Sequence, residues 1–272
     1  MPCMPDQDAT RFAPDRHAAI LRLVEREGRV VSAQLAARLG VSMDTVRRDL
    51  AELEAFGALQ RVHGGAVRGA PGARRFDERL READGGRAVV AGLGAALVER
   101  GQVVAIGGGT TSLRLARALP RDLEATVVTT SPEVVLALDE HPGVDVDLLG
   151  GRLHRVSRTV TGADTVAQLR ALCPDVCLLS PCGFDVQLGV TLREREEALV
   201  AQAMVERALR TVVLAPAAKL GTAGAYVVAP ADRVDVLVTD APPAALGAFA
   251  GLGIALVTPE PSAQAPQVAL GA

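Results

Sequence analysis

Three residues, Gly40-Val41-Ser42, separate one apolar-periodic stretch from the next. Leu35, Ala36 and Leu39 recur at helical spacing before them, and Val46, Leu50 and Leu53 after them. Gly40 takes a positive φ without a Cβ clash and ends the first helix. Ser42 caps the second helix, and Ser32 is placed to cap the first. A connection this short makes the two helices cross steeply, the geometry of a helix-turn-helix. Off the apolar face of the second helix, near its N-terminus, lie Met43, Thr45, Arg47 and Arg48. A recognition helix puts its N-terminal residues into the major groove, where Arg donates two bonds to guanine and Ser or Thr bonds phosphate or a base edge.

The flanks complete that module. Residues 16–27 read as a helix capped by Asp15, with Ile20, Leu23 and Val24 as its apolar face and Gly28 as its stop. Downstream, Gly57 ends the second helix, Leu59 to Val62 alternates apolar and polar, His63-Gly64-Gly65 makes a turn, and Val67 begins a return strand. Three helices and a small hairpin make a winged helix. Charge follows the division: residues 1–75 carry 12 Arg against 9 Asp and Glu, and the remainder carries 17 Lys and Arg against 23 acidic residues. A basic end on an acidic body fits a module that faces phosphate. The candidate DNA-contacting set is Ser32, Ser42, Thr45, Arg47, Arg48, Arg61 and His63, with His63 equally readable as a turn histidine bonded to backbone.

Beyond Ala70-Pro71-Gly72-Ala73, a linker, the pattern changes. A helix is expected over residues 86–99. Continuous Val- and Leu-rich runs then alternate with helical stretches. Strands are expected at 103–106, 125–129, 144–149, 176–180, 211–215, 234–239 and 254–258. Helices are expected at 112–119, 132–139, 165–172, 195–209 and 243–249. Short apolar strands between helices mean a parallel sheet buried on both faces. The fold class is α/β: a winged helix-turn-helix followed by a Rossmann-like parallel-sheet domain. The expected division is 1–14 leader, 15–69 winged helix, 70–84 linker, 85–258 α/β domain and 259–272 frayed tail. With 49% hydrophobic residues but only 2% aromatic, the core has to be built from Ala, Val and Leu.

Ligands of such sheets bind beyond the carboxyl ends of the strands, and four loops there carry suitable chemistry. Gly107-Gly108-Gly109-Thr110-Thr111-Ser112 combines glycines, a helix N-terminus and three hydroxyls, a seat for an anion. It is neither a Walker loop nor a dinucleotide fingerprint. Thr129-Thr130-Ser131 repeats the theme, with N-capping by Ser131 an equal reading. Asp185, with Thr191 after it, can orient sugar hydroxyls, while Glu197 reads equally as a surface helix residue. Lys219, the one lysine among 28 Arg, follows a buried strand and can reach a phosphate. Candidate ligand residues are therefore Gly108, Gly109, Thr110, Thr111, Ser112, Thr130, Ser131, Asp185, Thr191 and Lys219.

Cys3, Cys173, Cys177 and Cys182 fit no common zinc spacing and are expected as free thiols, so no metal and no cofactor is expected. No apolar run reaches a membrane span, and the start lacks a basic-then-apolar signal, so a cytoplasmic protein without membrane partners is expected.

Two sets of motifs resemble one family. VSMDTVRRDLAELEAFGALQRVHGGA is similar to the signature of DeoR-type bacterial transcriptional regulators. IGGGTTSLRLARAL, VVTTSPEVV, LLGGRLHRVSRTVTG and GVTLREREEALVAQAMVERA resemble, in order, that family's phosphate loop, next strand and turn, middle hairpin and long helix. The resemblance spans residues 15–258. It implies recognition positions at Ser42, Thr45, Arg47 and Arg48, a wing with Arg61 and His63, and a sensor domain akin to ribose-5-phosphate isomerase and CoA-transferase folds. It further implies a repressor of sugar-metabolism genes that binds operator DNA as a homodimer or homotetramer and is released by a phosphorylated sugar. This chain departs from the family pattern at Ile106-Gly107, where an acidic residue is usual, at Thr130 in place of Asn, and at Pro216-Ala217-Ala218 in place of Asp-Ser-Ser. The alternatives are an isomerase- or transferase-like enzyme carrying a helical module, and an activator sensing a non-sugar ligand.

Overall fold

The computed structural model describes residues 12–70, 75–82 and 85–259. Most of the expected leader with Cys3, part of the linker and almost all of the tail lie outside the described residues.

Helix α1 (Ala13–Glu27) starts earlier than expected: Phe12, not Asp15, is the N-cap, and a proline occupies the first turn, where a missing N–H is harmless. Gly28, at φ 72°, ends it. A three-residue strand β1 (Arg29–Val31), too short to leave a sequence pattern, leads into α2 (Ser32–Leu39). Ser32 does not cap this helix. Val31 holds the N-cap position, and the Ser32 N–H bonds the Gly64 carbonyl at 2.7 Å, so the wing turn closes the helix end instead. Helix α3 (Met43–Ala55) is capped by Ser42, whose Oγ accepts from the Thr45 N–H at 3.1 Å. Strands β2 (Leu59–Val62) and β3 (Gly65–Gly69) form the wing, and β1 pairs antiparallel with β3.

Ile20, Val24, Leu35, Leu39, Val46, Leu50 and Leu53 meet in one apolar core. Within it, Arg16 of α1 grips Asp49 of α3 through two bonds, Nε to Oδ2 at 2.6 Å and a terminal nitrogen to Oδ1 at 2.8 Å, and both residues are buried. The fork matches the carboxylate face to face.

After the wing, the stretch read as linker carries a helix of its own, α4 (Phe76–Arg81). Then follow α5 (Gly85–Ala95), β4 (Val103–Ile106), α6 (Thr110–Ala118), β5 (Ala125–Thr129), α7 (Pro132–Leu138) and β6 (Val144–Leu148). A hairpin, β7 (Arg152–His154) and β8 (Thr159–Thr161), precedes α8 (Ala163–Arg170) and β9 (Val176–Leu179). A second hairpin, β10 (Gly183–Asp185) and β11 (Gly189–Leu192), precedes α9 (Arg195–Arg207) and β12 (Arg210–Leu214). The chain ends with β13 (Thr222–Ala223), β14 (Tyr226–Ala229), β15 (Val236–Val238), α10 (Gly247–Ala250) and β16 (Ala255–Val257).

Seven strands form one sheet in the order β16-β15-β12-β9-β4-β5-β6, every pair parallel. Alternate residues feed opposite faces: Val104 and Ile106 join one apolar core, and Ala105 joins the other. From β4 the chain winds outward through β5 to β6, then returns to β9 on the other side of β4 and winds away through β12 and β15. The reversal lies between β4 and β9, where the crevice of an open parallel sheet takes ligands. Strands β10, β11 and β14 make a small antiparallel sheet beside it.

Burial pushes the Asp49 carboxyl up, but the bonds from Arg16 and His17 outweigh it and hold the group below the usual carboxylate range. A carboxyl held low in the folded state contributes stability that is full above its unfolded pKa of about 4 and lost as pH falls through the folded value. Asp49→Ala leaves the buried Arg16 guanidinium without its counter-charge and is expected to destabilise the winged helix by about 3–5 kcal/mol. In thermal unfolding, the deficit from wild type should be full at pH 7 and narrow in acid below the carboxylate range.

Candidate DNA-reading surface and anion cavity

The N-terminal end of α3 is open to solvent. Ser42, Arg47 and Arg48 are exposed, Thr45 is half-buried, and Val46 and Leu50 face inward. Arg47 is lightly held by Asp44, one turn back at 3.1 Å, an exposed pair that a phosphate or base can displace. The wing turn brings His63 to the surface, and Arg61 is exposed beside Glu54, whose Oε1 accepts the Arg61 N–H at 2.9 Å. A cleft between α3 and the wing is lined by Ser32, Met43, Arg47, Arg61 and His63. Four of the seven candidate DNA contacts therefore share one concavity, and Ser42, Thr45 and Arg48 lie outside its lining. Ser32 is itself buried.

The second site is a cavity of about 310 Å³ at the carboxyl ends of β4, β5, β9 and β12. Gly108, Gly109 and Thr110 line it from the loop after β4, Thr130 from the end of β5, Ser180 and Cys182 from the loop after β9, and Lys219 from the loop after β12. Gly109 is the N-cap of α6 at φ 112°, a conformation side chains avoid. Gly108 is needed for a different reason: a Cβ there would stand 2.3 Å from Thr159 Oγ1. The Lys219 ammonium donates to Ser180 Oγ at 3.1 Å.

The other candidates lie outside the cavity lining, and three of them, Ser112, Asp185 and Thr191, are engaged by the chain's own backbone. Ser112 Oγ donates to the Gly108 carbonyl at 3.1 Å. Thr111 is buried outside the lining. Ser131 holds the N-cap position of α7 without a side-chain cap bond. Asp185 Oδ1 accepts the N–H groups of Gln187 and Leu188, both at 3.0 Å, and faces Arg29 of the winged helix at 3.5 Å. Thr191 Oγ1 donates to the Gly183 carbonyl and accepts the Gly224 N–H, tying β10 and β11 to the loop before β14.

The cavity also has walls that the sequence did not announce. Arg79 and Glu82 come from the presumed linker, Arg87 from α5, and Ser157 and Thr159 from the β7–β8 hairpin. RRFDERLREADGGR looks like a solvated charge run, and nothing in one sequence marks which of its arginines turns inward. Both carboxylates in the lining are occupied: Glu82 takes a bond from Arg87 at 2.9 Å, and Glu197 meets His154 Nδ1 at 2.7 Å. Burial pushes the Cys177 thiol up and keeps it an uncharged core group. Among the described residues no cluster of three His, Cys, Asp or Glu side chains is arranged to hold a metal, and no helix is long and apolar enough to cross a membrane.

A winged helix carrying its own α/β sensor, with a cavity of donors at the sheet's reversal point, defines a DNA-binding transcriptional regulator. The relatives make this specific. The family model described as the DeoR-like helix-turn-helix domain matches residues 16–70, and that of the DeoR C terminal sensor domain matches residues 84–241. The HTH-type transcriptional regulator GlpR of Haloferax volcanii is 33% identical over 83% of this chain and 89% of its own. The HTH-type transcriptional repressor GlcR of Bacillus subtilis is 29% identical over 84% of this chain and 89% of its own. The chain belongs to the DeoR family. Among solved structures, ribose 5-phosphate isomerase A from Methanocaldococcus jannaschii aligns with 49% of this chain and 53% of its own at 17% identity and a TM-score of 0.36, a likeness too distant to bear on activity.

Gly108→Ala forces its methyl against the Thr159 side chain at the cavity wall. It is expected to destabilise the sensor domain by about 1–3 kcal/mol, read as a lower unfolding temperature by differential scanning fluorimetry.

Proposed function

We propose that the protein is a repressor that grips operator DNA through paired winged helices, as a homodimer or homotetramer in the cytoplasm, and lets go when a phosphorylated sugar enters the cavity. One observation carries the reading: the chain segment that bears the cavity's lysine is hydrogen-bonded to the wing. Lys219 lines the cavity, and three residues later Thr222 pairs with Arg68 of β3 and Ala223 with Gly69. Arg68 donates to the Ala218 carbonyl at 3.2 Å, and the Ala70 N–H donates to the Ala223 carbonyl at 2.9 Å. Arg29 beside Asp185 is a second tie. A ligand that favours one setting of the Lys219 loop over another therefore biases the setting of the wing, the differential interaction that coupling requires.

On the DNA side, Arg47 and Arg48 serve as base-reading residues, Ser42, Thr45 and Ser32 as donors to phosphate or base edges near the helix N-terminus, and Arg61 and His63 as wing contacts. On the ligand side, backbone N–H groups at Gly108, Gly109 and Thr110 receive the phosphate. Binding without turnover fits this cavity. Its two carboxylates are already paired, and Pro216-Ala217-Ala218 precede the lysine with no side chain able to move a proton.

With an operator selected from random duplexes by the protein itself, Arg47→Ala and Arg48→Ala should each weaken binding by about 1–3 kcal/mol, measured by fluorescence anisotropy. Wild-type affinity in both variants would remove α3 as the reading helix. Among pentose and hexose monophosphates, at least one should release wild-type protein from that operator, and Lys219→Ala should require at least tenfold more of it. Release by none of them would remove the sugar-phosphate reading.

A further inference from the structure

Arg79 sits on α4, between the wing and the sheet, and its surroundings are built rather than incidental. Phe76 is buried, with the Arg79 guanidinium 5.9 Å and the Arg158 guanidinium 5.4 Å from its ring centroid. Arg158, at the positive φ of 56°, reaches Asp77 of α4 at 2.8 Å and Glu133 of α7 at 2.6 Å. The Phe76 N–H bonds the Val156 carbonyl at 2.9 Å. The Arg79 carbonyl accepts from Arg87 at 3.0 Å. Helix α4 is thus fastened to the β7–β8 loop, to α7 and to α5, and it packs against α6, whose N-terminus borders the cavity.

Inside this frame two polar groups are open among the described residues. The Arg79 Nε is buried with no hydrogen-bond partner among them, and so is the Thr130 Oγ1, on a residue 1% exposed. Both residues line the same cavity. Buried donors are ordinarily paired, and a cavity that leaves two of them open is shaped for an acceptor. Together with the Gly108–Thr110 backbone N–H groups they offer a cluster of donors, one of them cationic, complementary to a group that accepts and carries negative charge.

We propose that Arg79 and Thr130 complete the seat for the ligand's phosphate, which leaves Lys219 and Ser180 to hold the remainder of the ligand. The phosphate then binds the helix that joins the two domains as well as the sheet edge. This rests on the reading of the cavity as a sugar-phosphate site and adds which residues take the phosphate.

The test is isothermal titration of the full chain with inorganic phosphate and with a panel of pentose and hexose monophosphates. Arg79→Ala should raise the Kd for phosphate and for the best sugar phosphate at least tenfold, Arg79→Lys by less, and Thr130→Val measurably. Arg81→Ala, an exposed arginine on the same helix, should match wild type. Lys219→Ala should weaken the sugar phosphate more than it weakens phosphate. Wild-type affinity for both probes in Arg79→Ala and Thr130→Val overturns the phosphate seat and leaves the cavity reading standing. A wild-type protein that binds none of the probes overturns both. If Arg79→Ala lacks native circular dichroism, Arg79→Lys and Thr130→Val decide, and unchanged affinity in that pair overturns the proposal.

Discussion

All seven strands of the large sheet run one way, and the chain changes its direction of winding once, between β4 and β9. Everything at the sensor site depends on that reversal. Parallel strands put every carboxyl end on one edge. Where two neighbours send their following helices to opposite sides, the loops part and leave a crevice. The glycine loop after β4 and the Ser180–Cys182 loop after β9 stand on the two sides of it, and Thr130 and Lys219 enter from the strands next outward. The Gly107 N–H is bonded to the Leu178 carbonyl at 3.0 Å, so the glycine loop leaves the sheet only after the ladder has fixed its base.

The sheet itself needs little help from aromatic side chains. Alternating small and medium residues, such as Val104, Ala105 and Ile106, fill a core on each face. The one close aromatic contact described, Phe184 with Phe249 at 5.0 Å between centroids, lies in the core that also backs the small sheet. A cavity walled by Leu179, Val200 and Met204 rather than by rings offers a sugar no face to stack on. Discrimination among ligands then falls to the placement of hydrogen-bonding groups and to charge.

What a single sequence discloses here follows burial. Strands covered on both faces, such as Val103–Ile106 and Ala125–Thr129, stand out as unbroken apolar runs, and the structure holds them at the same residues. Strands β1 and β13 have three and two residues and exist only because β3 lies alongside, so no local pattern announces them. Strands β10 and β11 begin at glycines and close on an Asp185 turn, which reads as loop. The same ambiguity governs the cavity. Short polar side chains at strand ends serve turns as readily as ligands, and the chain employs Ser112, Asp185 and Thr191 on its own backbone. Lys219 was marked by being solitary. Arg79 is hidden among equals, because the cavity it lines is closed by residues far along the chain, such as Thr130 and Lys219.

The strand shared by wing and sensor also bears on how such proteins can be recombined. A cut in the stretch after Gly69 looks like a natural joint, yet β3 takes part of its hydrogen bonding from Thr222 and Ala223, well inside the other domain. A reader grafted onto a foreign sensor at that joint keeps its helices and loses the edge that finishes its sheet. Faithful chimaeras require the short strand to travel with the wing, or the recipient's counterpart to present the same two backbone residues in register. The two halves are matched along that edge, so a change on either side of it bears on the other.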